Sequence, residues 1–205
     1  MPIFNDQEIA LNYATFGDKS NPALLLSNSL GTSYHMWQPQ IDALQNDYFI
    51  ICYDTRGHGK SSAPKGPYNL DQLGQDVIDL LDHLNIDKAF FCGISMGGMT
   101  GQWLAINHPD VVKALSAALA AGSSEGYASC CEALSVADTR EQLKNVRVPV
   151  TVLSGIEDPV TTVADGQYMV DHIPNAKLAT IDASHISNIE QPEAFNQLVR
   201  QYLKH

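Results

Sequence analysis

The sequence predicts a doubly wound α/β domain on a mostly parallel sheet, and three observations predict it. Short apolar runs recur along the whole chain, at 23–26, 48–53, 89–92, 111–115, 148–153 and 178–181. They are apolar at successive positions, as expected of strands buried on both faces of a parallel sheet. Helical patterns separate them, and regular alternation of strand with helix implies crossover connections that cover both faces. The chain of 205 residues, 44% hydrophobic and 17% charged, suits one domain with a sizeable core.

The elements follow in order. Residues 9–16 alternate, with Ile9, Leu11 and Tyr13 set against Ala10 and Asn12, which predicts a half-exposed antiparallel edge strand. The runs at 23–26 and 48–53 are the first two buried strands. Leu70, Leu73, Val77, Leu80, Leu81 and Leu84 form a helical stripe, with Asn69 placed to cap it. The run at 89–92 is a strand, and 99–107 is helix-like. After the run at 148–153 and a helical stretch that ends at His172, the last strand lies at 178–181. Phe195, Leu198, Val199 and Tyr202 then mark a final helix opened by Pro192. One segment departs from the pattern: Ser116-Ala117-Ala118-Leu119-Ala120-Ala121-Gly122-Ser123-Ser124 is small throughout except for one leucine. It reads either as a flexible linker or as a junction where something bulkier usually stands.

Charge and cysteine usage exclude whole classes of function. Twelve Lys and Arg against 23 Asp and Glu give a net charge of −11, which argues against nucleic acid and anionic membranes. No apolar run approaches the ~20 residues of a membrane span, and the first residues have no basic start or apolar stretch of a signal peptide. Cys52 and Cys92 lie inside strand-like runs, Cys130 and Cys131 are neighbours, and no zinc-ligand spacing occurs. A reduced, cytoplasmic protein without metal is expected.

Gly93-Ile94-Ser95-Met96-Gly97 is a G-x-S-x-G between a buried strand and a helix. That context holds a serine on a strained bend with its Oγ exposed, and the glycines leave room for backbone that a Cβ would obstruct. The alternative is an ordinary helix-capping serine. A nucleophilic serine needs a base, and the base needs an orienting acid, in the chain order Ser, acid, His. Seven histidines compete. His185 lies just after the last strand, at the carboxyl edge of the sheet where open α/β folds bind ligands. Asp158 and Glu157 both follow the strand at 148–153. Asp158 is the better choice because Pro159 fixes the turn after it, and Asp182 is too near His185 along the chain to reach the ring from the side. Two backbone N–H groups must complete an oxyanion hole: Met96, after the nucleophile, and Leu30, in the loop Ser27-Asn28-Ser29-Leu30-Gly31-Thr32.

This constellation resembles the α/β-hydrolase superfamily, and Asp54-Thr55-Arg56-Gly57-His58-Gly59-Lys60-Ser61 is similar to the loop after the second parallel strand in that group. Within it the chain resembles 3-oxoadipate enol-lactonases. The resemblance rests on Asn28-Ser29-Leu30-Gly31-Thr32, Met36-Trp37, Gly93 to Gly98 and Gly101-Gln102-Trp103-Leu104. It extends to Gly126-Tyr127-Ala128-Ser129-Cys130-Cys131, Glu157-Asp158-Pro159-Val160-Thr161 and 185–195. It implies Ser95, Asp158 and His185 as triad and Leu30 and Met96 as oxyanion donors. The implied reaction opens an enol-lactone ring in the β-ketoadipate pathway of aromatic degradation without a cofactor. Family members carry a helical cap where this chain has its small-residue stretch. A single α/β-hydrolase core over 1–205 is therefore expected, with the cap deleted or shortened around 116–125. The expected partner is a small ester or lactone, and exposed surface once under the cap favours self-association. An unselective carboxylesterase and a non-catalytic binding protein of the same fold are the competing readings.

Overall fold

The computed structural model describes residues 3–5, 9–118, 130 and 134–203. Most of the small-residue stretch, from Leu119 onward, lies outside the described residues, as do Gly126, Tyr127, Ala128, Ser129 and Cys131.

Eight strands form one sheet: β1 (Ile3–Asn5), β2 (Ala10–Phe16), β3 (Ala23–Ser27), β4 (Phe49–Tyr53), β5 (Ala89–Ile94), β6 (Val112–Ala118), β7 (Val150–Gly155) and β8 (Lys177–Ile181). Their spatial order is β1-β2-β4-β3-β5-β6-β7-β8. The strands from β3 onward are parallel, and β2 joins β4 antiparallel with Tyr13 opposite Tyr53. The runs are apolar on both faces because both faces are covered. On β4, Phe49, Ile51 and Tyr53 enter one core cluster while Ile50 and Cys52 enter the other.

Helix α2 (Leu70–Leu84) and helix α3 (Met96–Asn107) cover the first face, joined by α4 (Val163–His172). Helix α1 (Gln38–Leu44), the short α5 (Ser187–Glu190) and α6 (Pro192–Tyr202) lie against the second. The stripe on α2 buries Leu73, Val77, Leu80 and Leu81. Asn69 caps it as expected: its side chain accepts from Gln72 N at 2.8 Å, and Gln72 Oε1 accepts from Asn69 N at 3.1 Å. Phe195 and Val199 on α6 are buried in the second cluster.

One expectation is corrected. The strand at 9–16 is antiparallel but is not the edge, because β1 pairs beyond it with Phe4 opposite Leu11. Nor does it alternate cleanly. Asn12 is buried because its Nδ2 donates to Asp54 Oδ2 at 2.8 Å, which repays the desolvation of a polar side chain.

From β3 the chain crosses to β4 on one side, then returns to β5 on the other. Such a reversal opens a crevice at the carboxyl ends of the two adjacent strands, here β3 and β5.

Candidate active site

Ser95 stands at that crevice, between β5 and α3, with φ 62° and ψ −123°. A serine with positive φ is strained, and strain of this kind persists only where its surroundings impose it. They do so here by close backbone approach. A Cβ on Gly93 would meet the Gly97 carbonyl carbon at 2.4 Å, and a Cβ on Gly97 would meet the Ser27 carbonyl oxygen at 2.2 Å. Gly97 N donates to Asn28 O at 3.0 Å, so the bend is tied to the loop after β3. The Ser95 hydroxyl makes no cap bond to α3, which removes the reading as an ordinary capping serine.

Leu30 and Met96 share one buried cluster with Cys130, Tyr68, Leu70 and Leu73. Met96 is the first residue of α3, where a backbone N–H has no acceptor within its own helix. Asn28 supports the loop that carries Leu30: fully buried, it donates from Nδ2 to Tyr53 O at 2.8 Å and accepts from Trp37 Nε1 at 3.0 Å. Thr32 N and Oγ1 both donate to Ser29 O, at 3.3 and 2.7 Å.

Asp158 follows β7 and His185 follows β8, and the structure brings them together: His185 Nδ1 lies 2.9 Å from Asp158 Oδ2. Glu157 and Asp182, the alternative acids, are exposed to solvent. The Asp158 carboxylate is fully engaged. Val160 N and Thr161 N donate to Oδ1 at 2.8 and 3.1 Å, and Thr161 Oγ1 donates to Oδ2 at 2.8 Å. Burial works against its ionisation, but the bonds from Val160, His185 and Thr161 outweigh burial and hold its pKa below the usual carboxylate value. It is therefore a carboxylate at neutral pH, as orienting an imidazole requires.

Several supporting residues carry no local signal in the sequence. Glu190 accepts from Ser184 N at 2.7 Å and from Ser184 Oγ at 2.5 Å, bracing the residue before His185. Those bonds keep its own pKa below the ordinary glutamate value. Gly155 lets the acid loop lie on the histidine loop, since a Cβ there would meet Ala183 O at 2.4 Å. Gln40 Nε2 donates to Asn188 O at 3.0 Å, while Asn188 Nδ2 donates to Gln40 Oε1 at 3.0 Å and Met36 O at 2.9 Å. This buried exchange joins the helix after His185 to the helix that follows the Leu30 loop. Thr161 and His58 belong to stretches singled out by resemblance, but only the contacts reveal what each touches.

Among the described residues no cluster of His, Cys, Asp and Glu could hold a metal ion. What the arrangement offers is a strained serine, an imidazole aligned by a carboxylate, and the Met96 N–H at the helix start beside the serine.

An eight-stranded, mostly parallel sheet with this constellation at its carboxyl edge defines a class. The chain belongs to the α/β-hydrolase fold family, whose profile matches residues 22–119, while a TAP-like protein profile matches residues 117–205. It is similar to 3-oxoadipate enol-lactonase 2 of Acinetobacter baylyi, with 48% identity over 264 aligned positions that cover 100% of this chain and 99% of that one. Similarity to 3-oxoadipate enol-lactonase 1 of the same organism is 38% over 98% and 96% of the two chains. Among solved structures, the enol-lactonase from Burkholderia xenovorans matches with a TM-score of 0.95 and 35% identity, covering 100% of both chains.

Proposed function

We propose that this protein is a serine hydrolase that opens carboxylic esters and lactones through an acyl-enzyme, of the 3-oxoadipate enol-lactonase type. The observation that carries the reading is the forced backbone of Ser95 together with the Asp158–His185 pair at 2.9 Å. The full-length likeness to enol-lactonases supports the substrate class.

In this mechanism His185 Nε2 takes the proton from Ser95 Oγ as the oxygen attacks the ester carbonyl. Asp158 holds Nδ1–H, which fixes the tautomer and stabilises the imidazolium. The carbonyl oxygen becomes an anion received by the Leu30 and Met96 N–H groups. Collapse breaks the bond to the leaving oxygen, which takes the proton back from His185. In a lactone that oxygen stays attached to the acyl group, so ring opening leaves the whole product on Ser95. Water, deprotonated by His185, then releases it. No step calls for a metal or cofactor.

A single core domain with a shortened cap fits two observations. The alignment to the 48% identical relative runs over 264 positions against 205 residues here, so at least 59 positions of it have no counterpart in this chain. A cavity of about 450 Å³ is lined by Met99, Gln102, Val136, Thr161, Tyr168 and Met169, and Val136 in that lining is exposed. Every proposed catalytic group comes from the sheet's own loops, so the chemistry survives while positioning of the substrate suffers. The protein is accordingly a weak, broad esterase with reduced lactone selectivity, and the exposed apolar lining favours self-association.

Cys52 and Cys92 are buried within strands as reduced thiols, in keeping with a reducing, cytoplasmic setting, and no helix among the described residues is long and apolar enough to cross a membrane. The net charge of −11 keeps nucleic acid out of the reading.

The test is a comparison of kcat/KM on 3-oxoadipate enol-lactone and on short aryl esters, for this chain and for one with a helical cap restored between Leu115 and Glu125. The restored chain should gain far more on the lactone than on the esters. Equal rates and equal selectivity would remove the positioning argument. No hydrolysis of either class would favour a binding protein built on the same fold.

A further inference from the structure

We propose that His58 is a positioning residue of the oxyanion hole, acting through Gly31 on the Leu30 N–H as a neutral imidazole protonated on Nδ1. The inference rests on the serine-hydrolase reading above and adds a second histidine to its working parts.

His58 is buried, 7% exposed, and both ring nitrogens are engaged. Gly31 N donates to Nε2 at 2.9 Å, and Nδ1 lies 3.1 Å from Arg56 O. A carbonyl oxygen only accepts, so Nδ1 carries the proton; a backbone N–H only donates, so Nε2 is bare. One tautomer satisfies both contacts, and a charged ring would satisfy only one of them.

The rest of the loop aims this ring. Asp54 accepts from Asn12 Nδ2 at 2.8 Å, Tyr34 N at 2.8 Å and Lys60 N at 2.9 Å, so residues 54–60 curl around its carboxylate. The turn closes tightly enough that a Cβ on Gly59 would fall 2.1 Å from Asp54 Oδ2. Arg56, whose carbonyl orients the ring, is anchored by Asp76 on α2 through Nε at 2.7 Å and Nη2 at 2.6 Å. Its guanidinium also lies 5.6 Å from the centre of the Tyr68 ring.

The consequence falls on Leu30. A trans peptide points its C=O and N–H in opposite directions. Thr32 holds Ser29 O, which sets the peptide that ends in the Leu30 N–H. His58 holds the Gly31 N–H, which sets the next peptide and keeps it from flipping. Gly31 sits at φ 75°, where glycine has no steric preference for one orientation, so an outside contact must supply it. With both peptides fixed, the Leu30 N–H needs no reorganisation when the oxyanion forms, and donors aimed in advance contribute most.

The experiment uses the full chain with His58→Phe, His58→Gln and Ser95→Ala, assayed on 4-nitrophenyl acetate, and nitrogen-15 NMR of the parent's imidazoles at neutral pH. Loss of an oxyanion donor costs about 100- to 1000-fold in kcat, so its displacement in His58→Phe should cost roughly 10- to 100-fold with KM nearly unchanged. His58→Gln keeps an acceptor near the Nε2 position and should recover most of that loss, which a merely structural role would not require. The parent spectrum should show His58 protonated on Nδ1 and bare on Nε2. An unchanged kcat in His58→Phe, a glutamine variant no better than the phenylalanine variant, or a parent ring protonated on Nε2 would each overturn the inference. If the parent fails to turn over the ester, or Ser95→Ala retains the rate, the hydrolase reading fails instead, and the tautomer measurement still judges the contacts of His58.

Discussion

The two halves of the proposed active site are built differently. On the nucleophile side, Ser95, Met96, Asn28 and His58 are buried, and the bonds that hold them join residues distant in sequence, such as Asn28 to Tyr53 and Gly31 to His58. On the acid–base side the His185 side chain is 21% exposed, and the bonds on either side of it, Thr161 to Asp158 and Glu190 to Ser184, span few residues, while Gln40–Asn188 ties the following helix to the core. The difference follows from the tasks. Donors that stabilise developing charge work best when they do not move, whereas a base must take a proton, pass it on and admit water. The serine's half is built into the sheet's core, and the proton carrier is mounted at its partly exposed rim.

The largest expected effects come from removing a working group on either side. Ser95→Ala should lower kcat by about four to six orders of magnitude, and His185→Ala by a comparable factor, because the members of such a set act as a unit. Asp158→Asn should lower kcat by about three to four orders while leaving the fold intact, since the ring loses its tautomer. Steady-state kinetics with circular dichroism on each variant checks both points. A fully active Asp158→Asn would move the acid role to Glu157 or Asp182.

A smaller effect separates the halves. Asn28→Ala leaves Trp37 Nε1 and Tyr53 O buried without their partner, and unsatisfied groups of that kind cost about 1 to 3 kcal/mol each. A urea unfolding midpoint should fall clearly, together with kcat. Glu190→Gln, on the exposed rim, should leave the midpoint nearly unchanged. Equal losses in both variants would erase the contrast between a core-built and a rim-built half.

The smallest effects are in pH dependence. Asp158 has its folded pKa lowered, so its contribution to stability is complete above the unfolded value near ~4 and is lost as pH falls through the folded value. Denaturant midpoints of the parent and Asp158→Asn should therefore converge toward acid pH. Thr161→Val removes a donor from Oδ2, the oxygen that faces His185 Nδ1. Thr161 is one of the groups that lower the Asp158 pKa, so without it the folded value moves up and the acid-induced loss of stability should begin at higher pH, with kcat changed only a few-fold. A Thr161→Val profile that overlays the parent would contradict the shared-oxygen account.

How much of this was legible in the sequence depends on whether a feature has a local signature. Buried strands, the α2 stripe with its Asn69 cap, and the glycines around Ser95 each write a short-range pattern, and the structure has them where the pattern lies. Asp158 and His185 were accessible through chain order and strand ends. Features made by pairing across the fold were not. Asn12 reads as the solvent face of an alternating strand and is buried by its bond to Asp54, 42 residues away. The short β1 has too few residues to show a period, and the Gln40–Asn188 exchange spans 148 positions. His58 sat inside a recognisable motif, yet nothing in its letters says that its ring meets Gly31.

The central claim is that Ser95 is the nucleophile, activated by His185. Treating the parent chain with a fluorophosphonate and mapping the adduct by mass spectrometry tests it most directly. The account predicts a single adduct on the peptide containing Ser95, absent in Ser95→Ala and formed much more slowly in His185→Ala. An adduct on another residue, or equal labelling of Ser95→Ala, would contradict it.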